Sequence, residues 1–371
     1  MIVRKNTTAN RITNRIAVWI FGALFLATYG DVANAKELQK LRFANATKTI
    51  TALSADTLVA EYLGYYKQEG LTVNLITLGS TGAILAALNN GSIEFAQMST
   101  QAQLPVAARG ERLPAINFFE ATYPFRFGLG VLPGSPIKSY ADLKGKTVGV
   151  PNFGSNEYQT ARMIVKQSGL DPDKDVTWLV VGDGGATNAH ALERKDIAAV
   201  YTSDIGFGAI EATGVKIIAI PLPEKIPVVG GIYLATTPNI LSKHRDWAVG
   251  LARGLTKAHI FIRENPKAAA YIFGLMAPSA VPVGKSVEEQ VKTTMIPLSS
   301  RMGFFFPYDK SDPIGFMKER DWHNEVSFVG LDSKIKDVSQ FYTNDLVKEV
   351  NTFDVEAIKT QARTFKLPYE K

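Results

Sequence analysis

Two stretches of this chain read as copies of one plan. "YKQEGLTVNLITLGSTGAILAALNNGSIEFAQMST", from Tyr66, and "VKQSGLDPDKDVTWLVVGDGGATNAHALERKDIAAVYTSD", from Val165, follow the same order. Each has a helix end closed by glycine, a strand, a glycine-bearing polar loop, a short helix and another strand. Gly70 aligns with Gly169, Val73 with Val176, Gly79 with Gly182 and Ile93 with Ile197. The offset grows at the inserted "DPDKD" turn, where loops tolerate length change. A strand and a helix precede each copy, "LRFANATKTITALSADTLVAEYLGYY" and "KTVGVPNFGSNEYQTARMIV". Short strands alternating with helical stretches build βαβ units on a mostly parallel sheet. The doubling therefore specifies two similar α/β lobes, and a hydrophobic content of 46% is ample for their cores.

Local signals mark the joints. Gly70 and Gly169 sit where a left-handed residue stops a helix, and Ser155 and either Ser80 or Thr81 are N-cap candidates. In "ILAALNNG" the residues Ile84, Leu85 and Leu88 share one helical face and are assigned to the core. Two apolar strands, Phe127–Leu132 and the stretch 228–237, lie where the chain must leave one lobe and return. If both cross between lobes they form a two-stranded hinge, with Gly128, Gly130, Gly230 and Gly231 able to absorb rotation. The stretches 244–276 and 337–363 carry apolar residues at helical spacing and are expected to pack on a lobe. The expected division is residues 36–127 with 232–371 as the first lobe and its C-terminal helices, and 128–231 as the second.

Residues 1–35 are set apart. Arg4, Lys5, Arg11 and Arg15 precede an apolar run over 16–28, and Ala33-Asn34-Ala35 gives a small-x-small cleavage site. This is the pattern of a secretory signal peptide, too short to span a bilayer. The mature chain is expected to be exported, soluble and periplasmic. It contains no cysteine for a disulfide or a lipid anchor. It keeps +3 of the net charge of +6, too weak and dispersed for a nucleic-acid footprint.

In open α/β sheets, ligands sit beyond the carboxyl ends of the strands. Polar loops fall at those ends: "NATKTIT" with Thr47 and Thr49, "LGSTG" with Gly79, Ser80 and Thr81, "MSTQ" with Ser99 and Thr100, "PNFGSN" with Asn152, Ser155 and Asn156, and "GDGGATN" with Gly184 and Thr187. Free N–H groups at a helix start favour acceptor-rich ligands; the simpler reading of any one loop is capping alone. Tyr123 and Phe153, beside polar loops, are aromatic contact candidates, and Tyr158 follows in the first turn of its helix. Lys48 and Arg126 could neutralise an acidic ligand and Asp204 could accept a hydrogen bond, a solvated or structural role being the simpler reading of each. Glu157 is read as a surface residue serving the helix dipole; turned inward, it would favour a ligand amine or ring N–H.

Catalytic patterns are absent: no G-x-S-x-G elbow, H-E-x-x-H or phosphate loop occurs, and the four histidines are scattered. No catalytic residue, metal site or cofactor is assigned.

"VAEYLGYYKQEGLTVNLI", "ALNNGSIEFA", "IKSYADLKGKTVGV" and "ALERKDIAAVYTSD" resemble the signature segments of periplasmic substrate-binding proteins of ABC transporters, in the nitrate, sulfonate and taurine group of the NMT1/THI5-like superfamily. The resemblance covers roughly residues 40–275. It implies an α/β, two-lobed type II periplasmic binding protein fold that closes on a small organic or oxyanion ligand and delivers it to a membrane permease, as a monomer and without a cofactor. It implies ligand contacts at Thr47, Thr49, Gly79, Ser80, Thr81, Ser99, Thr100, Ser155, Asn156 and Tyr158. Glu157 stands where sulfonate binders often carry histidine, which argues against a sulfonate and leaves a pyrimidine or other heteroaromatic ligand open. A secreted enzyme or a ligand sensor on the same scaffold is the alternative.

Overall fold

The computed structural model describes residues 37–305 and 311–369. The expected leader, 1–35, lies outside the described residues. The first lobe runs β1 (Gln39–Asn45), α1 (Ala55–Tyr62), α2 (Tyr65–Gln68), β2 (Leu71–Thr77), α3 (Thr81–Asn89), β3 (Phe95–Met98), α4 (Gln103–Ala108) and β4 (Ile116–Thr122). The second runs β5 (Phe127–Val131), β6 (Lys146–Val150), α5 (Asn156–Gln167), β7 (Val176–Val180), α6 (Gly185–Glu193), β8 (Ala199–Ser203), α7 (Asp204–Glu211) and β9 (Ile218–Ile220). The chain then returns through β10 (Ile232–Thr236) to α8 (Pro238–Lys243), α9 (Arg245–Glu264), α10 (Pro266–Met276), α11 (Val287–Met302), α12 (Glu319–Phe328), α13 (Val347–Val350) and α14 (Val355–Thr364).

The two five-stranded sheets have matching orders, β2-β1-β3-β10-β4 and β7-β6-β8-β5-β9. In each, the first three strands are parallel and the fourth is antiparallel to both neighbours. The aligned glycines carry matching backbone: Gly70 and Gly169 lie at φ 75° and 89°, Gly79 and Gly182 at 77° and 79°. Only glycine adopts these angles without strain, so the repeat in the sequence is a repeat in the turns.

The expected hinge strands each remain within one sheet. β5 belongs to the second sheet and β10 to the first, so each lobe receives its antiparallel fourth strand from beside a crossing. The crossings themselves are the coil segments 123–126 and 221–231, joined where the Phe125 N–H donates to the Val229 carbonyl at 3.0 Å. Gly231 remains essential there: a Cβ would sit 2.0 Å from the Thr122 carbonyl oxygen.

The core of the first lobe is closed by α9, which buries Ala248, Leu251, Leu255, Ala258 and Ile262 at helical spacing. That helix ends at Asn265, whose side chain accepts from Ala268 N and starts α10 with Pro266 at its first position. Two helices between the expected C-terminal stretches brace the lobes. α11 is opened by a Ser286–Glu289 capping box and packs against α7 so closely that a Cβ on Gly208 would lie 2.5 Å from Pro297 Cα. α12 lays Trp322 on Tyr233 of the first lobe, ring centroids 5.0 Å apart, and places the Phe328 carbonyl where Gln167 of the second donates to it at 2.9 Å. The helical spacing over 337–363 is realised as two short helices, α13 and α14, with Asn351 ending the first and Asp354 capping the second.

Candidate functional site

A cavity of about 870 Å³ lies between the carboxyl edges of the two sheets. The end of β1 supplies Asn45, and the loop after it Thr47, Thr49 and Thr51. The end of β3 supplies Gln97 and Met98. From the second lobe come Asn152, Ser155, Asn156 and Glu157 of the loop and first turn of α5, Asp183 and Gly184 after β7, and Thr202 and Ser203 of β8. Arg126, on one crossing, and Ile232, where the chain re-enters β10, close the hinge side, and α10 and α11 add Phe273, Thr294 and Pro297.

Two lobe-to-lobe contacts frame this space. Thr81 Oγ1 donates to Asn156 Oδ1 at 2.9 Å, and Asn156 Nδ2 lies 2.8 Å from the same hydroxyl. Lys48, from the first lobe, stands beside Asp183 of the second and favours its ionised form. The polar groups of the "PNFGSN" loop are used within the fold. Ser155 caps α5 by accepting from Tyr158 N at 3.1 Å, and Asn156 reaches across to Thr81.

The sequence candidates divide accordingly. Thr47, Thr49, Asn152, Ser155, Asn156 and Gly184 line the cavity. Gly79, Ser80 and Thr81 stand outside the lining: Gly79 forms a left-handed turn, Ser80 caps α3 through Ala83 N at 3.1 Å, and Thr81 is taken by Asn156. Ser99 and Thr100 are buried at 2% and 0% exposure and lie outside the lining, with Thr100 turned toward Glu325. Tyr123 is buried, its hydroxyl side facing Asp321 and Glu120. Phe153 is half exposed and packs on Tyr158, which in turn meets Trp178 edge-on at 5.4 Å. Thr187 donates to the Gly184 carbonyl. Asp204 lies behind the wall, held bidentately by Arg301 at 2.6 and 3.0 Å. Most of these residues are engaged by partners elsewhere in the fold, which loop position alone could not reveal.

Three charged groups stand in the lining. Glu157, read from sequence as a surface residue, is partly exposed but faces the cavity. Burial raises its carboxyl, against hydrogen bonds from its own helix start and from Ser155. Burial likewise raises Asp183, against the pull of Lys48. Arg126 is pushed down to about 9 by burial and then by the neighbouring Arg301, with Asp204, Glu157 and Asp56 opposing. The wall from α10 and α11 had no signal in the sequence, because those residues reach the cleft only after more than a lobe of intervening chain. Among the described residues no cluster of His, Cys, Asp or Glu could hold a metal ion, and no helix is long and apolar enough to cross a membrane.

Two similar α/β lobes facing each other across a cleft define the periplasmic binding protein architecture. Residues 53–269 match the NMT1/THI5-like family, and the chain belongs to it. A Bacillus subtilis (strain 168) protein, YtlA, named as a binding protein, is 24% identical over 254 residues, covering 68% of this chain and 75% of its own. Among solved structures, the periplasmic aliphatic sulphonate binding protein SsuA from Escherichia coli aligns with a TM-score of 0.60 at 16% identity, over 82% of this chain and 91% of that one. The periplasmic nitrate-binding protein NrtA from Synechocystis PCC 6803 aligns at 0.56 and 14%, over 90% and 100%. The desulfurization enzyme DSZB shares the fold at 0.52 and 13%, over 84% and 98%. At these identities the structures establish a common fold, one that carries binding proteins and at least one enzyme.

Proposed function

We propose that this protein is the periplasmic solute-binding component of an ABC importer, capturing a small molecule between its lobes and presenting it to a membrane permease. One observation carries the reading: a cavity of about 870 Å³, of the size that encloses a small organic solute, has a largely apolar wall in which polar groups from both sheets are set. Solute-bridged lobes would favour the closed population in proportion to the contacts made only when both walls are present. No residue set with nucleophile, base and oxyanion donors was recognised in the sequence, and the binding proteins SsuA and NrtA share the fold, which supports capture over turnover.

The test is mass spectrometry of small molecules released from the purified protein, followed by thermal unfolding with the identified compound. A ligand of the native state should raise the midpoint with concentration. A released compound that leaves the midpoint unmoved would defeat the reading, and steady conversion of that compound by the pure protein would make it an enzyme.

A further inference from the structure

Three ionised side chains form a buried chain behind the hinge wall: Arg126, Asp204 and Arg301. Only Arg126 lines the cavity. Arg301, on α11, grips Asp204, at the start of α7, with Nε on Oδ2 at 2.6 Å and Nη2 on Oδ1 at 3.0 Å. This is the two-pronged guanidinium–carboxylate geometry. Arg126 is left the longer approach, Nε to Oδ1 at 3.6 Å, and that nitrogen finds no hydrogen-bond acceptor among the described residues. One carboxylate thus serves two guanidiniums, and its geometry favours the one outside the cavity.

The other charges nearby have partners of their own. His259 holds Asp56 at 3.1 Å beyond Arg301. Lys48 attends Asp183; Glu157, in the same lining, accepts from Ser155 and its own helix start and also attracts Arg126, while burial raises its carboxyl. Gln97, also in the lining and 4% exposed, has an amide nitrogen with no acceptor among the described residues. A buried donor without an acceptor is costly, and a buried cation without a full counter-charge more so. The Arg126 Nε and the Gln97 amide nitrogen are therefore two donors of the cleft wall without an acceptor among the described residues.

We propose that Arg301 and Asp204 act from outside the cavity to set the charge it accepts. By claiming both Asp204 oxygens, Arg301 frees the Arg126 guanidinium to hold the anionic group of the solute, which is an organic anion. This rests on the solute-binding reading and names its ligand class. Arg126 is the contact residue; Arg301 is a positioning residue acting through Asp204. If Arg301 is removed, Asp204 turns to Arg126 and neutralises the wall from within.

The full mature chain would be titrated at pH 7 with matched probes: methanesulfonate against dimethyl sulfone, benzoate against benzamide, and nicotinate against nicotinamide, together with any compound released from the protein. Wild type should bind anionic members in preference to their neutral partners. Arg301→Gln should weaken the bound anion about 10- to 100-fold, the scale of a hydrogen bond to a charged group. Asp204→Asn, which lowers stability by removing the same ion pair, should keep or tighten anion binding, so a merely structural role would not give opposite signs. Folded Arg301→Gln protein with wild-type anion affinity overturns the inference, as does Asp204→Asn losing affinity in step with it. Preference for neutral or cationic solutes overturns it too, while leaving solute capture standing. No bound compound and no response to any probe would take down the solute-binding reading and this inference with it.

Discussion

The two lobes share a strand order and a set of turns but not a core. The first is closed by helices outside the repeat: α9 and α10 bury Leu255, Phe261, Ile272 and Phe273 to no more than 1% exposure in its core. The second has no such cover along its outer strand, where Leu179 and Val180 of β7 are 39% and 44% exposed. It is braced instead by α11 against α7 and by α12 against α5. The difference teaches that the βαβ template fixes the sheets while the unrepeated C-terminal helices decide how much each lobe buries. They also decide which buried charges stand behind the cleft.

The largest effect should come from the first lobe's core. Phe261→Ala, at a site with 0% exposure, should cost about 3–5 kcal/mol, and Ile164→Ala in the second lobe about 2–5 kcal/mol. Urea unfolding followed by tryptophan fluorescence would compare them. The asymmetry between lobes predicts that the second-lobe change splits the transition before the first-lobe change does. One shared transition for both variants would mean that the C-terminal braces make the lobes a single cooperative unit.

An intermediate effect should follow pH at the brace itself. Glu325 on α12 is fully buried, with neither carboxylate oxygen hydrogen-bonded to a described residue. It faces Asp321 of its own helix, Thr100, and the acidic Glu120, which holds Gly231 N at 3.1 Å on one crossing. Burial first, and Asp321 next, raise its carboxyl to about 8. The native state therefore keeps a proton that the unfolded chain gives up near its ordinary carboxylate range. Stability from this group is complete at low pH and declines as pH climbs toward 8. Glu325→Gln should flatten that decline, a difference on the order of a few kcal/mol at pH 8 and little at pH 5. A variant whose thermal midpoint falls with pH as steeply as wild type would place the titration elsewhere.

The smallest effect should be at the tip of the cleft. Thr81→Val removes the Asn156 contact, worth about 0.5–1.5 kcal/mol, and should shift the lobes apart. Small-angle scattering would register this as a larger radius of gyration without solute, restored when solute is added. An unchanged radius would assign the lobe spacing to α11 and α12 alone.

Much of the fold was legible because it is local. Gly79 and Gly182 announce left-handed turns by residue type, Ser155 and Ser80 announce caps, and alternating short strands announce parallel sheets. The cleft was legible in outline for a related reason: strand carboxyl ends are set by topology, so Thr47, Thr49, Asn152 and Asn156 could be placed at its rim. Their pairing was not. Thr81 and Asn156 satisfy each other across the lobes at 2.9 Å, while Ser99 and Thr100 are buried outside the lining, and sequence distance says nothing of either.

By itself, then, the chain's order of residues determined the doubled α/β plan, the positions of the turns and the belt of small polar residues at the strand ends. These depend on backbone preference and on periodic burial, which act over a few residues. Only the tertiary structure decided that α11 closes the cleft and that Arg301 takes Asp204 away from Arg126. It alone set three carboxyl groups, Glu120, Asp321 and Glu325, together beside a crossing. The energy of a charge depends on which others are buried with it, and here that is settled by packing between segments far apart in the sequence.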